Sequence, residues 1–187
     1  MQKAGTFKLV ELKVNYRTPQ EVMDVAGGLL VEFAPELRPA ISIRHSGEPV
    51  VMTSVGTENF FGHVAAVVRK EVGLVEPGTV ALIVPPAEKT VYLEELARAG
   101  LYASASPEET LSVLSIHEAK GLEFDSVVIS GANRLLAAGA SNLQALFVAM
   151  TRTTKRNSAD HPGGKRSQVL RLIHDDVSVA PLFIDFV

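Results

Sequence analysis

The chain has 187 residues, with 18 Lys and Arg against 21 Asp and Glu, so its formal net charge is −3. Apolar residues make up 47% of the composition, which is typical of a globular protein with its own hydrophobic core. The absence of cysteine excludes disulfides, thiolate metal sites and a cysteine nucleophile. No apolar run approaches the ~20 residues of a membrane span and no signal-peptide core follows Met1. We therefore expect one cytoplasmic domain over residues 1–187, with no membrane partner.

The predicted elements alternate between strands and helices. A short extended segment at residues 9–12 comes first. A helix follows from about Thr18 to Phe33, because Thr18 can serve as its N-cap, Pro19 suits its first turn and Glu21 completes a capping box. Apolar side chains recur through this segment at helical spacing, which predicts one buried face.

Further elements follow from short apolar runs and from helical spacing. The predicted strands are residues 50–55, 79–84, 111–116, 126–130, 168–173 and 182–186. The predicted helices are residues 60–72 (ended by Gly73), 88–98 (ended by Gly100) and 141–150 (opened by a capping box of Ser141 and Gln144). Residues 153–167 are polar, contain Pro and Gly, and predict a loop. This alternation predicts an α/β fold with a mainly parallel sheet.

Several common catalytic motifs are absent from the sequence. It contains no G-x-x-x-x-G-K-[ST] phosphate loop, no G-x-G-x-x-G fingerprint and no G-x-S-x-G nucleophile elbow. His117 and Glu118 begin a zinc-protease motif, but Gly121 stands where the second His belongs. The five His show no metal-ligand spacing. These absences argue against a self-contained NTPase, dehydrogenase, zinc hydrolase or serine hydrolase.

Residues 152–171 form the most basic part of the chain. They carry six basic side chains and one acid, a local charge of +5. Such a cluster favours phosphate or another polyanion, and it also fits a solvated basic loop.

Three segments carry candidate functional residues. Arg17 stands just ahead of a helix N-terminus, where a guanidinium can meet a phosphate or simply lie on the surface. Between two predicted strands, Lys120 could meet phosphate, Gly121 permits a close backbone approach and Glu123 could accept hydrogen bonds from ribose hydroxyls. An ordinary solvated connection would have the same composition. Arg152 ends an apolar helix, and either compensates the helix dipole or projects into a site.

Together and in this order, the three segments resemble the second motor lobe of UvrD/Rep-type superfamily 1 helicases. NYRT at residues 15–18 resembles motif IV of that family, HEAKGLEF at 117–124 resembles motif V, and LFVAMTRTTKR at 146–156 resembles motif VI. The resemblance implies a RecA-like three-layer fold, with a mainly parallel sheet flanked by helices. Together with SIRHSG at 42–47, the first segment is most similar to the helicase-IV-like, HelD-type branch, some members of which act on RNA polymerase.

This resemblance implies half of an ATP-dependent DNA helicase or translocase, with its ATP site between two lobes. The present lobe would supply Arg17 and Arg152 as catalytic arginines that reach the γ-phosphate. Glu123 would meet the ribose hydroxyls, and the Gly121 backbone would lie near the phosphates. An N-terminal lobe of the same polypeptide would supply the P-loop and hold Mg²⁺. The present chain is then expected to hold no metal and, alone, to hydrolyse no ATP.

The resemblance also implies a nucleic-acid partner. His117 and Lys120 would couple the nucleotide site to DNA or contact its phosphates. A second hypothesis remains open, namely a non-catalytic module that docks nucleic acid or RNA polymerase through residues 152–171. Simple docking does not need Arg17, Glu123 and Arg152 together, which favours the motor.

Overall fold

The computed structural model describes residues 13–47, 49–104, 106, 108–137, 140–153 and 169–174. Within them the strands are β1 (Val14–Asn15), β2 (Ile41–Ser42), β3 (Val51–Ser54), β4 (Val80–Val84), β5 (Leu111–Ser115), β6 (Ser126–Ser130) and β7 (Val169–His174). The helices are α1 (Gln20–Phe33), α2 (Phe60–Val75), α3 (Lys89–Arg98), α4 (Ala132–Ala137) and α5 (Ala140–Met150). Strands and helices therefore alternate along most of the described chain.

A parallel sheet organises the molecule. Its strand order is β3-β7-β6-β4-β5, and every neighbouring pair is parallel. All five residues of each of β4, β5 and β6 are buried, as expected for strands covered on both faces. The predicted α/β fold with a mainly parallel sheet flanked by helices is confirmed.

Side chains alternate between the two faces of the sheet and contribute to two apolar clusters, one on each face. Ala81 and Ile83 of β4 point to the face covered by α1, α4 and α5, which we call cluster one. Val80, Leu82 and Val84 of the same strand point to the face covered by α2 and α3, which we call cluster two. This period of two along one strand produces the three layers of helix, sheet and helix.

A second, two-stranded parallel sheet lies beside α1. Val14 of β1 pairs with Ile41 of β2, and Asn15 pairs with Ser42. Strands of two residues are too short to leave a periodic pattern, so the sequence did not predict them. The pairing of β1 with β2 helps to position residues 16–19, because these residues run directly from β1 to the amino end of α1.

The capping box predicted for α1 is wrong. Pro19 occupies the N-cap position and no side chain caps the helix. The Thr18 hydroxyl instead donates to the Thr151 carbonyl, at 3.3 Å. The Glu21 carboxylate accepts hydrogen bonds from the backbone N–H groups of residues 46 and 47, both at 3.0 Å. Burial alone would raise the pKa of Glu21, but these hydrogen bonds lower it overall.

Two other helix ends differ from the predictions. α2 continues through Gly73 to Val75, because Val75 still packs into cluster two. The extended backbone of Glu76 and the following Pro77 then end it. α5 begins at Ala140, so Ser141 lies inside the helix and forms no capping box. α4 was not predicted.

Some predictions fall on residues that the structure does not describe. These are the strands at 9–12 and 182–186, all but the first residue of the 153–167 loop, and most of the basic stretch at 152–171.

Candidate functional site

The first part of the candidate site is an ion pair between two distant segments. Arg17 Nη1 lies 2.6 Å from Glu123 Oε1, and the two side chains are 51% and 42% exposed. The Asn15 side-chain oxygen accepts hydrogen bonds from the backbone N–H groups of Arg17 and Thr18, at 2.8 and 3.1 Å. This Asx turn fixes the direction in which Arg17 leaves β1.

Arg152 completes this cluster from the end of α5. Its carbonyl accepts a hydrogen bond from the backbone N–H of Phe124 at 3.0 Å, which joins it to the residue after Glu123. Its Nε donates to the Val148 carbonyl at 2.9 Å. Burial, and then the positive charge of Arg17, lower the pKa of Arg152, while Glu123 raises it. Arg17 therefore pairs with Glu123, and the Arg152 guanidinium lies close enough for the charges of both to act on it.

The arginines line a groove of about 550 Å³. Arg38, from the segment after α1, lines it as well, and Tyr16 and Phe147 contribute ring surface. Arg152, on the wall of the groove, lies near the amino end of β6, because the next residue, Thr153, forms a bridge with Phe124 just before that strand begins. A concave surface with several guanidiniums and an apolar wall can hold an anionic ligand with an uncharged part.

Gly121 lies two residues before Glu123 and does not line the groove of Arg17, Arg38 and Arg152. Its φ of +83° falls in the left-handed region that favours glycine. A Cβ added there would meet nothing within 4 Å, so backbone conformation rather than space accounts for the glycine.

His117 and Lys120 line a different cleft, of about 360 Å³, between the segment after β5 and the beginning of α5. Glu118, between them, faces α3. Its carboxylate lies 2.8 Å from Lys89 Nζ and accepts the backbone N–H of Ser115 at 2.7 Å. The hydrogen bonds from Lys89 and from Ser115 lower the pKa of Glu118 to about 2. The ion pair anchors the start of this segment to the amino end of α3.

The structure thus brings Arg17, Glu123 and Arg152 together and places His117 and Lys120 in a separate cleft. Their functional roles stay predictions. Sequence reasoning missed Arg38, for which no pattern existed, and Glu118. For Glu118 a signal was available, since a Ser three residues before a Glu is the spacing of a capping box, and Ser115 makes reciprocal bonds with it.

Two absences concern only the part of the chain that the structure describes. There, no group of three or more His, Asp or Glu is placed to hold a metal ion. None of the helices in the same residues is long and apolar enough to cross a membrane.

Comparisons with known proteins agree with this architecture. Residues 110–156 match the family model of the UvrD-like helicase C-terminal domain, and this range includes Gly121, Glu123 and Arg152. The C-terminal domain of a possible DNA helicase from Lactobacillus plantarum WCFS1 has a similar fold, with a TM-score of 0.62 and 21% identity over 86% of this chain and 87% of that one. No curated protein matches the chain.

Proposed function

We propose that this chain is the second RecA-like lobe of an ATP-dependent DNA helicase or translocase. In this proposal Arg17 and Arg152 face an ATP site shared with a P-loop-bearing lobe. The observation that supports the proposal is that Arg17, which pairs with Glu123, and Arg152 line one groove and their charges act on each other. The finer placement in the helicase-IV-like, HelD-type branch is also a proposal.

Electrostatics support an anion at this place. Arg152 is partly withdrawn from water, and the positive charge of Arg17 acts on it. Like charges in a partly buried site repel each other, and a phosphate between them would replace that repulsion with charge-assisted hydrogen bonds. Phosphoryl transfer needs such stabilisation, because charge is spread over the transferring phosphate oxygens in the transition state.

Glu123 fits a second part of the nucleotide. Its side chain is 42% exposed and engaged by Arg17. If Arg17 turns toward a phosphate, the carboxylate becomes available as an acceptor for hydroxyl donors such as those of ribose. The described residues offer no carboxylate cluster for Mg²⁺. We therefore assign the metal to the P-loop lobe, where it would neutralise phosphate charge.

The proposal is tested by the nucleic-acid-stimulated ATPase activity of the full-length protein with Arg152→Ala. An arginine that stabilises the transition state contributes about 10³–10⁵ in rate, so a loss of at least about 10³ is expected while ATP binding persists. Arg98→Ala is the control, because Arg98 is 67% exposed on α3 and pairs only with Glu94 and Glu95 among the described residues. The present chain alone should show no activity.

Two results would contradict the proposal. One is a full-length protein without ATPase activity. The other is a loss for Arg152→Ala no larger than for Arg98→Ala. Either would favour the docking alternative, which predicts binding of a partner without ATP turnover.

A further inference from the structure

Two threonines join the segments that carry the groove arginines. Thr18 directly follows Arg17, and Thr151 directly precedes Arg152. The Thr18 hydroxyl donates to the Thr151 carbonyl at 3.3 Å, across 133 positions of sequence. Both threonines line the groove of Arg17, Arg38 and Arg152, which we call the arginine groove. Thr18 is only 2% exposed, so it acts on a ligand there mainly through its neighbours.

The carboxyl end of α5 explains why Thr151 accepts this bond. Carbonyls where a helix ends lack intrahelical partners and need other donors. Just after the last residue of α5, the Thr151 carbonyl accepts the hydroxyl of Thr18. The next carbonyl, that of Arg152, accepts the backbone N–H of Phe124 at 3.0 Å. One helix end therefore holds both the segment after β1 and the segment before β6.

Thr18 is fixed from the other side as well. Ser42 of β2, itself buried, donates its hydroxyl to the Thr18 carbonyl at 2.5 Å. The Thr18 N–H donates to the side-chain oxygen of Asn15 at 3.1 Å. Each polar group of Thr18 thus has a partner, as a buried residue requires. These bonds fix the backbone from which the Arg17 side chain leaves.

The Arg152 guanidinium is held against Thr151. Its Nη2 donates to the Thr151 hydroxyl at 3.3 Å, and its Nε donates to the Val148 carbonyl at 2.9 Å. The Thr151 hydroxyl donates to the same carbonyl at 3.0 Å. A displacement of Thr151 would therefore be passed directly to the guanidinium of Arg152.

The charges of the two arginines make such a connection necessary. Burial, and then the positive charge of Arg17, lower the pKa of Arg152, so the two guanidiniums repel each other. Glu123 offsets this repulsion in part, since its charge raises the same pKa. Before a ligand binds between them, the backbone that carries the arginines has to keep them close.

We propose that Thr18 is a positioning residue, which sets the separation of the Arg17 and Arg152 guanidiniums through its bond to Thr151. This inference deepens the proposed function and rests on it, because it needs Arg152 to act in ATP turnover. Donors aimed in advance at the transferring phosphate stabilise the transition state without reorganisation at the moment of reaction. Thr18 contributes this preorganisation and touches no reacting atom.

The test is the steady-state ATPase activity of the full-length protein with Thr18→Val, which keeps the shape of the side chain and removes the hydroxyl. A displacement of about 1 Å can cost about 10² in rate, so kcat is expected to fall about tenfold to a hundredfold. KM for ATP should stay within about twofold, because the lost interaction acts in the transition state. Thr18→Ser keeps the hydroxyl and should restore kcat to within about threefold of wild type.

Ser112→Ala is the matched control. The buried Ser112 on β5 donates its hydroxyl to the Ser106 carbonyl at 2.6 Å, and it does not line the arginine groove. The substitution therefore removes the same kind of bond at a distant place, and kcat should stay within about twofold of wild type.

A double substitution separates positioning from a role in folding alone. In an Arg152→Ala background, Thr18→Val should lower kcat by less than about twofold, because the residue through which Thr18 acts is already lost. The same factor in both backgrounds would contradict the inference. Ser42→Ala removes the support of Thr18 on its other side and should lower kcat by about threefold to tenfold with KM unchanged. It serves in place of Thr18→Val if circular dichroism shows that the latter does not fold.

The inference and the motor can be told apart when they fail. A wild-type kcat for Thr18→Val, or an equal loss for Thr18→Val and Ser112→Ala, would overturn the positioning role. If Arg152→Ala abolishes ATP turnover in the same experiment, the motor stands while the positioning role falls. If Arg152→Ala retains ATP turnover, the motor itself falls, and the positioning role falls with it.

Discussion

Glu123 pairs with Arg17, and its charge also acts on Arg152. Its contact with Arg17 is short, at 2.6 Å, but both side chains are about half exposed. Exposed ion pairs contribute about 0–1 kcal/mol to stability, because water screens them and ordering the side chains costs entropy. Glu123 should therefore contribute little to folding stability, which is compatible with the ligand role proposed for it.

We expect Glu123→Gln to change the free energy of unfolding by less than about 1 kcal/mol, measured by urea denaturation. In the full-length protein it should raise KM for ATP more than it lowers kcat, because a ribose contact made equally in ground and transition states is uniform binding. Glu94→Gln, which removes a similarly exposed partner of Arg98, is the control for stability. A loss of more than about 2 kcal/mol in the free energy of unfolding would show instead that Glu123 contributes mainly to folding stability.

The carboxylate of Glu118, in contrast, is held by structural contacts with Lys89 and Ser115. Hydrogen bonds from Lys89 and Ser115 lower its pKa from 4.5 to about 2. A lowered pKa in the folded state stabilises the fold above the unfolded value, and this stabilisation disappears as the pH falls from about 4.5 to about 2. Because the side chain is 49% exposed, the effect should be that of a surface pair, below about 1 kcal/mol.

Comparison of wild type with Glu118→Gln isolates this contribution. The difference between their free energies of unfolding should be constant above about pH 5 and should decrease steadily toward pH 2. Chemical denaturation at several pH values measures it, and the titration of other acids cancels between the two proteins. A difference that does not depend on pH would show that the ion pair with Lys89 is not formed in solution.

At the scale of elements, the sequence predicted where strands and helices lie better than it predicted where the helices begin and end. Strands β4, β5 and β6 lie within the predicted runs, because a buried parallel strand needs a continuous apolar segment. The capping boxes at Thr18 and Ser141 were wrong, whereas the same spacing at Ser115 and Glu118 does make reciprocal bonds. The spacing of the residues could not distinguish the capping box that forms from the two that do not. A distant segment can engage the same hydroxyl, as the Thr151 carbonyl does with that of Thr18.

Two glycines near the end of α2 should respond in opposite ways to alanine. Gly73→Ala places a Cβ in open space inside a helix, and should stabilise the protein by about 0.5–1 kcal/mol. Gly78→Ala would bring a Cβ against the Val75 carbonyl and 2.8 Å from Asp125 Oδ2. It should destabilise by about 1–3 kcal/mol, the usual cost of forcing extra volume into a packed place.

Urea denaturation of both glycine variants measures these effects in parallel. Each is the control for the other, because both add one methyl group within a few residues of the same helix end. If Gly73→Ala were as destabilising as Gly78→Ala, α2 would have to end near Gly73, as the sequence alone suggested.

The candidate site could be predicted only in part, and the reason lies at the scale of the whole molecule. Arg17, Glu123 and Arg152 were identified from their local motifs, but their contact depends on α1 and α5 packing together over cluster one. Arg38 carries no motif and enters the groove only because the chain turns back after α1 to form β2. Such long-range approaches leave no local pattern in the sequence.

Because one sheet carries both apolar clusters, the molecule should unfold as one unit. β4 and β6 contribute alternate side chains to each face, so the loss of either cluster exposes the strands on which the other rests. Tyr92 is buried in cluster two, whereas Tyr16 and Tyr102 are 69% and 85% exposed and the chain has no Trp. The near-UV circular dichroism of Tyr92 therefore reports on cluster two alone.

A substitution in cluster one should consequently shift a signal that arises in cluster two. Leu29 on α1 is 4% exposed, and Leu29→Ala is expected to cost about 2–5 kcal/mol. Val31→Ala, at a position 51% exposed on the same helix, should change stability by less than about 0.5 kcal/mol. For Leu29→Ala the urea midpoint of the Tyr92 signal should fall together with that of the far-UV signal, since coincident transitions mark two-state unfolding.

An unchanged Tyr92 midpoint would mean that α1 and its cluster open independently. Arg17 could then move relative to Arg152 without unfolding the sheet, and the core of this chain would not hold the arginine groove in one shape.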